Sequence, residues 1–315
     1  MLWSRRYVSY LAALLVLCAA PWLLPDFRLY QISLIAAVSI VALGVTVVTG
    51  LAGQITLAQA AFAAFGAYGT PLLMQHWGVP FVPALIGSGM LAAFVGFLLG
   101  LVTLRVSGHY LALATLAVTA IVQVLLIEAE GLTGGAAGMP APQIAIGGRA
   151  LSNGFDLYFV VVPITVIAIL FVEFLIRSRF GRAFSALRQS ETAAETLGID
   201  VLRYKASAFA VSAFLGAVGG GLTALLSGYV DPMQFGVMQS VYYVAVAVVG
   251  GLSGPLGAVL GSALFVVLPE ALADFKSYAG VMVALVLLLV LLCQPRGIIG
   301  IMSVLDKPRA ARRAS

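Results

Sequence analysis

Thr115, Thr119 and Gln123 recur every fourth residue, so on a helix they stack along one side. An uncharged polar line of that kind offers a passing zwitterion hydrogen bonds without trapping it. Gln54 and Gln59, with Thr56 between them, form a second such set near the start of another apolar stretch. The same side chains serve equally as hydrogen-bonding glue between membrane helices, and the residues alone leave both roles open. Other chemistry has little to work with. There is no G-x-x-x-x-G-K-[ST] for nucleotide phosphates, and Lys205, Lys276 and Lys307 never follow a glycine. The two histidines, His76 and His109, stand far apart, and no nucleophile–base spacing is present. The expectation is a non-enzymatic chain without a metal or cofactor of its own.

The elements that carry these residues are set by apolar content. The chain is 62% hydrophobic and only 9% charged over 315 residues, with mean hydropathy +1.10. A soluble domain cannot bury that much apolar surface, so the class is an all-α polytopic membrane protein. A bilayer core takes about 20 apolar residues as helix. Ten spans are expected, at 7–24, 30–49, 55–74, 81–104, 110–127, 157–176, 205–228, 237–250, 255–270 and 279–293. The eighth and ninth are short and separated by GGLSGP, so they are two thin spans or one broken element. Gly216, Gly219, Gly220 and Gly221 crowd the seventh, and Gly66 and Gly69 the third. Close helix packing is the expected reason, with a hinge as the other reading.

One domain over 1–315 is expected. With the N-terminus inside, fourteen of the 17 Lys and Arg fall on the cytoplasmic side, leaving Arg28, Arg149 and Lys276 outside. The basic tail 306–315 is then cytoplasmic, as are both termini. Residues 128–156 lie outside as a loop or re-entrant element, since their Gly and Pro density opposes a continuous helix. Cys18 and Cys293 fall within spans, so no disulfide framework is implied. Arg5-Arg6 and the following apolar run mimic a signal peptide but read as an uncleaved first span. The net charge of +5 sets orientation on a membrane and offers no nucleic-acid surface.

A proton- or ion-coupled carrier needs ionisable groups inside its spans. The clear intramembrane acid is Glu173, four residues before Arg177 in the favourable order for a helix-end ion pair. That scarcity favours a pore powered from outside.

Power would enter at 177–204, RSRFGRAFSALRQSETAAETLGIDVLRY, which carries five Arg and three acids between two spans. Ser190 is placed to cap a helix beginning at Glu191, and Gly198 to stop it, giving a short helix over 191–197. A polar helical loop held at both ends is a docking surface for a soluble partner.

TAAETLGID and RYKASAFAVSAFLGAVGGGL resemble the coupling-loop region of ABC importer permeases for branched-chain amino acids. GLAGQITLAQAAFAAFGAYG (50–69), LRVSGHYLALATLAV (104–118), GLTGGAAGMP (131–140), FGRAFSALRQSETAAETLGI (180–199) and VVGGLSGPLGAVLGSALFVVLPE (248–270) agree in order and spacing. The likeness covers about residues 30–300 and is greatest to the M-type membrane subunit. It implies an ABC importer permease fold and two ATP-binding cassette subunits, whose ATP is the only nucleotide involved. It also implies a second related permease, an external solute-binding protein and the bacterial inner membrane. Alternating access would move a branched-chain or related small amino acid inward. Urea or short amides are the alternative within the family; an ion-coupled carrier or a passive channel are the alternatives outside it. The coupling pattern E-A-A-x-x-x-G falls on Thr192, Ala193, Ala194 and Gly198, with Thr in place of the leading Glu. Arg182, Arg188, Glu191 and Glu195 complete the expected ATPase contact, and either acid is open as the one that meets the ATPase.

Overall fold

The computed structural model describes residues 24–102, 109–141, 154–272 and 297–300, together with 21–22, 145–146, 149–150 and 285. The expected first span, apart from its last residues, the expected last span at 279–293, apart from residue 285, both cysteines and the basic tail lie outside the described residues. Ten α-helices of six residues or more carry the described fold. They are α1 (Asp26–Val45), α2 (Gln59–Trp77), α3 (Phe81–Val102), α4 (His109–Glu128), α5 (Gly154–Arg177), α6 (Arg179–Gln189), α7 (Glu191–Thr196), α8 (Val201–Ser227), α9 (Val237–Gly250) and α10 (Pro255–Ala271). The chain is thus an all-α polytopic protein.

Five of the described segments are long and apolar enough to cross a bilayer: Asp26–Leu51, Phe81–Val102, Tyr110–Glu128, Gly154–Arg177 and Val201–Ser227. The pair α9 and α10, bent by 117° at its break, makes a sixth if it is taken as one span. The described residues therefore carry five or six spans by length and composition where eight of the ten expected ones fall. The expected third span is a helix, α2, but not an apolar one by this measure. Its first half, from Gln59 to Ala64, is buried inside the protein. A helix wrapped by other helices has no lipid to satisfy and can carry Gln, Thr and Gly.

Contacts fix which helix ends lie together. Gly154 packs on the backbone of Asp26, Arg28 faces Glu270 at 3.8 Å, and Gln75 donates to the Pro140 carbonyl at 3.3 Å. Met139–Pro140 pairs antiparallel with Tyr229–Val230 at this same end. At the other end Gly100 packs on Ala206, Gly50 on Leu252, and Gly297 on Gly251. The GLAG and GLSG stretches therefore touch each other. The tip between α9 and α10 lies at one end of the bundle and the end of α10 at the other.

α8 is the axle. It is buried over most of its length against α1, α2 and α3. Small residues make the approach close: Gly220 meets the backbone of Ala63, Gly66 that of Ala217, and Gly96 that of Phe209. Lipid tails are as apolar as leucine, so helix association in a membrane rests on such packing rather than on apolar burial. This supports the packing reading of the glycine-rich face. Glu173 and Arg177 form the expected ion pair at the end of α5, 2.5 Å apart.

Candidate functional site

Three polar caps build the charged loop. Ser178 accepts from the Phe180 and Gly181 N–H groups and starts α6. Ser190 accepts from the Ala193 N–H at 3.2 Å and starts α7, as its position in the sequence suggests. Asp200 accepts from the Arg203 N–H at 3.1 Å and starts α8. Each cap satisfies a backbone donor that the first turn of a helix leaves free. Gly198, at φ 78°, lets the chain leave α7 in the left-handed region that other residues avoid. α6 buries Ala183, Phe184 and Leu187, and Phe184 meets Tyr204 edge to face. Leu187, Ala194 and Val201 close a small core beneath the loop. The run from 178 to 203 is a folded unit with an inner and an outer face.

The outer face carries Arg182, Thr192, Ala193, Glu195, Leu197 and Gly198, all exposed. Leu197 stands out, being an apolar side chain 77% exposed on a polar loop. Ala194 points inward and is buried.

Arg188 and Glu191 act on the inner side. Arg188 donates through Nη1 to the Gly50 carbonyl at 2.5 Å, and Gly53 packs on its Cα, Cβ and Cγ. Gly53 is at φ 72°, so a side chain there would be strained and would crowd Arg188. Glu191 accepts from Lys205 Nζ at 2.7 Å and from Gln54 Nε2 at 3.2 Å on the same oxygen. Lys205 is 2% exposed and is the one fully buried charged residue among those described. An ammonium in that position requires a paired carboxylate, and Glu191 supplies it.

Both contacts land on an irregular stretch. α1 runs into a π-helical turn, Thr46–Leu51, and residues 53–58 are neither helix nor strand before α2 begins. Backbone that leaves the helix inside a membrane protein must find partners. Ala52 N–H bonds to Val47 O and Gln54 N–H to Val48 O. Thr115 accepts from the Leu57 N–H at 2.9 Å, and Thr119 donates to the Leu57 carbonyl at 2.7 Å. Thr56 accepts from the Ala58 N–H, and Ser240 of α9 accepts from the Ala60 N–H at 3.0 Å. Thr115 and Thr119 are both buried, so one face of α4 holds the unwound segment at Leu57.

The remaining two path candidates divide. Gln59 is fully buried, donates to the Val41 carbonyl at 2.9 Å and accepts from Ser212 at 3.0 Å, tying α2 to α1 and α8. Gln123 is half-buried against Gly236, with the Met233 thioether as a weak acceptor at 3.8 Å. Gln59→Leu should therefore lower the yield and thermal stability of purified protein. Gln123→Leu should leave both nearly unchanged, since one membrane hydrogen bond is worth about 0.6 kcal/mol on average. If Gln123 meets solute, its replacement cuts uptake in a normally assembled protein; unchanged uptake removes it from the path.

Nothing in the sequence marks Lys205, Ser212 or Ser240 as functional. Gly53 stands in GLAGQIT, whose two glycines hint at a break in the helix. Ser212 and Ser240 carry no such signal, because isolated serines are common in membrane helices.

The chain matches the family model for the branched-chain amino acid transport system permease component over residues 27–293. It is 33% identical to the high-affinity branched-chain amino acid transport system permease protein LivM of Escherichia coli (strain K12), over 92% of this chain and 74% of that protein. It is 35% identical to the permease protein LivH of the same organism, over 44% of this chain and 45% of that one. The probable permease protein LivM of Methanocaldococcus jannaschii is 24% identical over 59% of this chain and 56% of its own. No solved structure matches. With the family model spanning most of the chain and a relative this similar along nearly all of it, the chain belongs to the permease component family of branched-chain amino acid transport systems.

Proposed function

We propose that this chain is a membrane-spanning subunit of an ATP-driven importer that carries branched-chain or related small amino acids inward across a bacterial cytoplasmic membrane. The observation that carries the reading is the family match over residues 27–293. The folded loop 178–203 supports it. Its exposed outer face suits a cytoplasmic ATPase pair, and its inner face is bonded into the bundle. A second permease related in sequence and an external solute-binding protein complete the assembly, and ATP belongs to the ATPase subunits. Both termini and the loop face the cytoplasm, the 128–156 connection faces outward, and 306–315 forms a cytoplasmic tail. The scarcity of buried charge among the described residues supports an external power source. Lys205, the one fully buried cation among the described residues, is already neutralised by Glu191.

The test is reconstitution of the chain with its two ATPases, partner permease and binding protein in liposomes. The expected result is uptake of labelled leucine, isoleucine or valine that requires ATP and survives an ionophore. Collapse of uptake with the ionophore would point to an ion-coupled carrier, and downhill flux without ATP to a channel. Competition by urea exceeding that by leucine would shift the solute class to amides.

A further inference from the structure

We infer that the 178–203 loop moves the segment 50–58, the end of the π-helical turn and the unwound run after it, directly, through a two-point grip. Arg188 holds the Gly50 carbonyl and Glu191 holds the Gln54 amide, while Lys205 fixes Glu191. The inference rests on the loop being where the ATPases act, and it names how their motion enters the bundle.

The grip joins residues distant in sequence across two hydrogen bonds that each involve a charged partner, a short one from Arg188 at 2.5 Å and a longer one to Glu191 at 3.2 Å. Lys205 shares the gripping oxygen of Glu191 and is itself buried, so the carboxylate has little freedom to turn away. Gly50 is in the last turn of the π-helix, at the very end of its ladder, and Gln54 is in the unwound run 53–58, which can shift without breaking helical hydrogen bonds. That run is also held by Thr115 and Thr119 of α4, and the start of α2 by Ser240 of α9. A displacement of the loop therefore reaches α2, α4 and α9 through one short strip of chain. The competing route is covalent: the loop continues into α8 at Val201 and could simply push that helix. In that case Gln54 would not matter to coupling.

Gln54 is accordingly a positioning residue, and the test measures coupling rather than activity alone. The assembled complex is reconstituted with unmodified chain, with Gln54→Leu, and with Gln54→Lys, which can still bond Glu191. ATPase co-purification, ATP hydrolysis rate and leucine imported per ATP are measured. Gln54→Leu should keep co-purification and hydrolysis, and lower import per ATP by about fivefold or more, the low end of usual coupling between sites. Gln54→Lys should restore it. Where Gln54→Leu reduces yield, Glu191→Ala with Lys205→Met cuts the same contact without stranding a buried charge and should uncouple likewise. Normal import per ATP in either severed variant overturns the inference, as does loss of ATPase co-purification in Gln54→Leu. If the unmodified chain fails to bind any ATPase, the importer reading falls first and takes this grip with it.

Discussion

Alanine at Gly220 or at Gly66 is expected to remove most of the folded protein from the membrane fraction. The two glycines are a reciprocal pair across the crossing of α2 and α8: each meets the backbone of the opposite helix, Gly220 at Ala63 and Gly66 at Ala217. A flexible side chain in the way can turn aside, whereas a carbonyl within a helix cannot. The helices would have to separate, and α8 has little room to move. Gly96 and Gly100 of α3 press on it at Phe209 and Ala206, and Gly219 presses on Val41 of α1. Overpacking a close-fitted core costs about 1–3 kcal/mol and more where relaxation is blocked, so this site belongs at the upper end. Thermal unfolding and yield of detergent-solubilised protein are the measurements. Gly131→Ala is the control, since an added methyl there meets nothing within 4 Å. Normal yield and stability with impaired transport would instead support the hinge reading of the same glycines.

Most helices of this fold were legible because their causes are local. Apolar length marks α3, α4, α5 and α8, and capping chemistry marks α7, whose Ser190 and Gly198 sit where the sequence puts them. The pair Glu173–Arg177 follows from helical spacing alone. What the sequence hid depends on contacts between distant residues. Residues 55–58 read as the start of a span, because Thr115 and Thr119, which satisfy the unwound backbone at Leu57, are far away in the chain. Lys205, at the edge of an expected span, carries no sign in the sequence of its burial or of its pairing with Glu191. The break between α9 and α10 was visible in GGLSGP, but its 117° angle and the packing of its tip against Gly50 and Gly297 were not.

That same geometry redistributes roles among the residues first grouped by pattern. Thr115 and Thr119 share a face with Gln123, as their spacing requires. Their hydroxyls, however, are bonded to the Leu57 backbone, while the Gln123 amide has only a weak sulfur partner. The polar line on α4 is therefore divided along its length. One part holds the unwound segment, and the other leaves a side chain free to meet a solute. Arg188 and Glu191 divide from Arg182 and Glu195 in the same way. The first pair faces the bundle and the second faces away from it.

Leu197→Asp combined with Glu195→Lys should therefore strip the ATPase from the complex while leaving this chain folded in the membrane. Leu197 is the large apolar side chain exposed on the loop's tip, 77% accessible, and α7 presents Glu195 beside it. A buried apolar anchor at the centre of an interface typically costs about 2 kcal/mol or more when removed, roughly thirtyfold in affinity. The rim charge at Glu195 contributes more to association rate and its salt dependence than to strength. Neither side chain is engaged inside the chain by the contacts that hold the loop, so folding should be spared. Arg182→Glu tests the same face, its guanidinium reaching only the Arg177 carbonyl at 3.2 Å. Arg188→Glu does not, because it breaks the hold on Gly50 and would uncouple transport with the ATPase still attached. Co-purification of the ATPase separates the two outcomes. Undiminished co-purification and uptake in the Leu197→Asp, Glu195→Lys protein would move the docking surface elsewhere. A loss confined to uptake would place these residues in coupling rather than in binding.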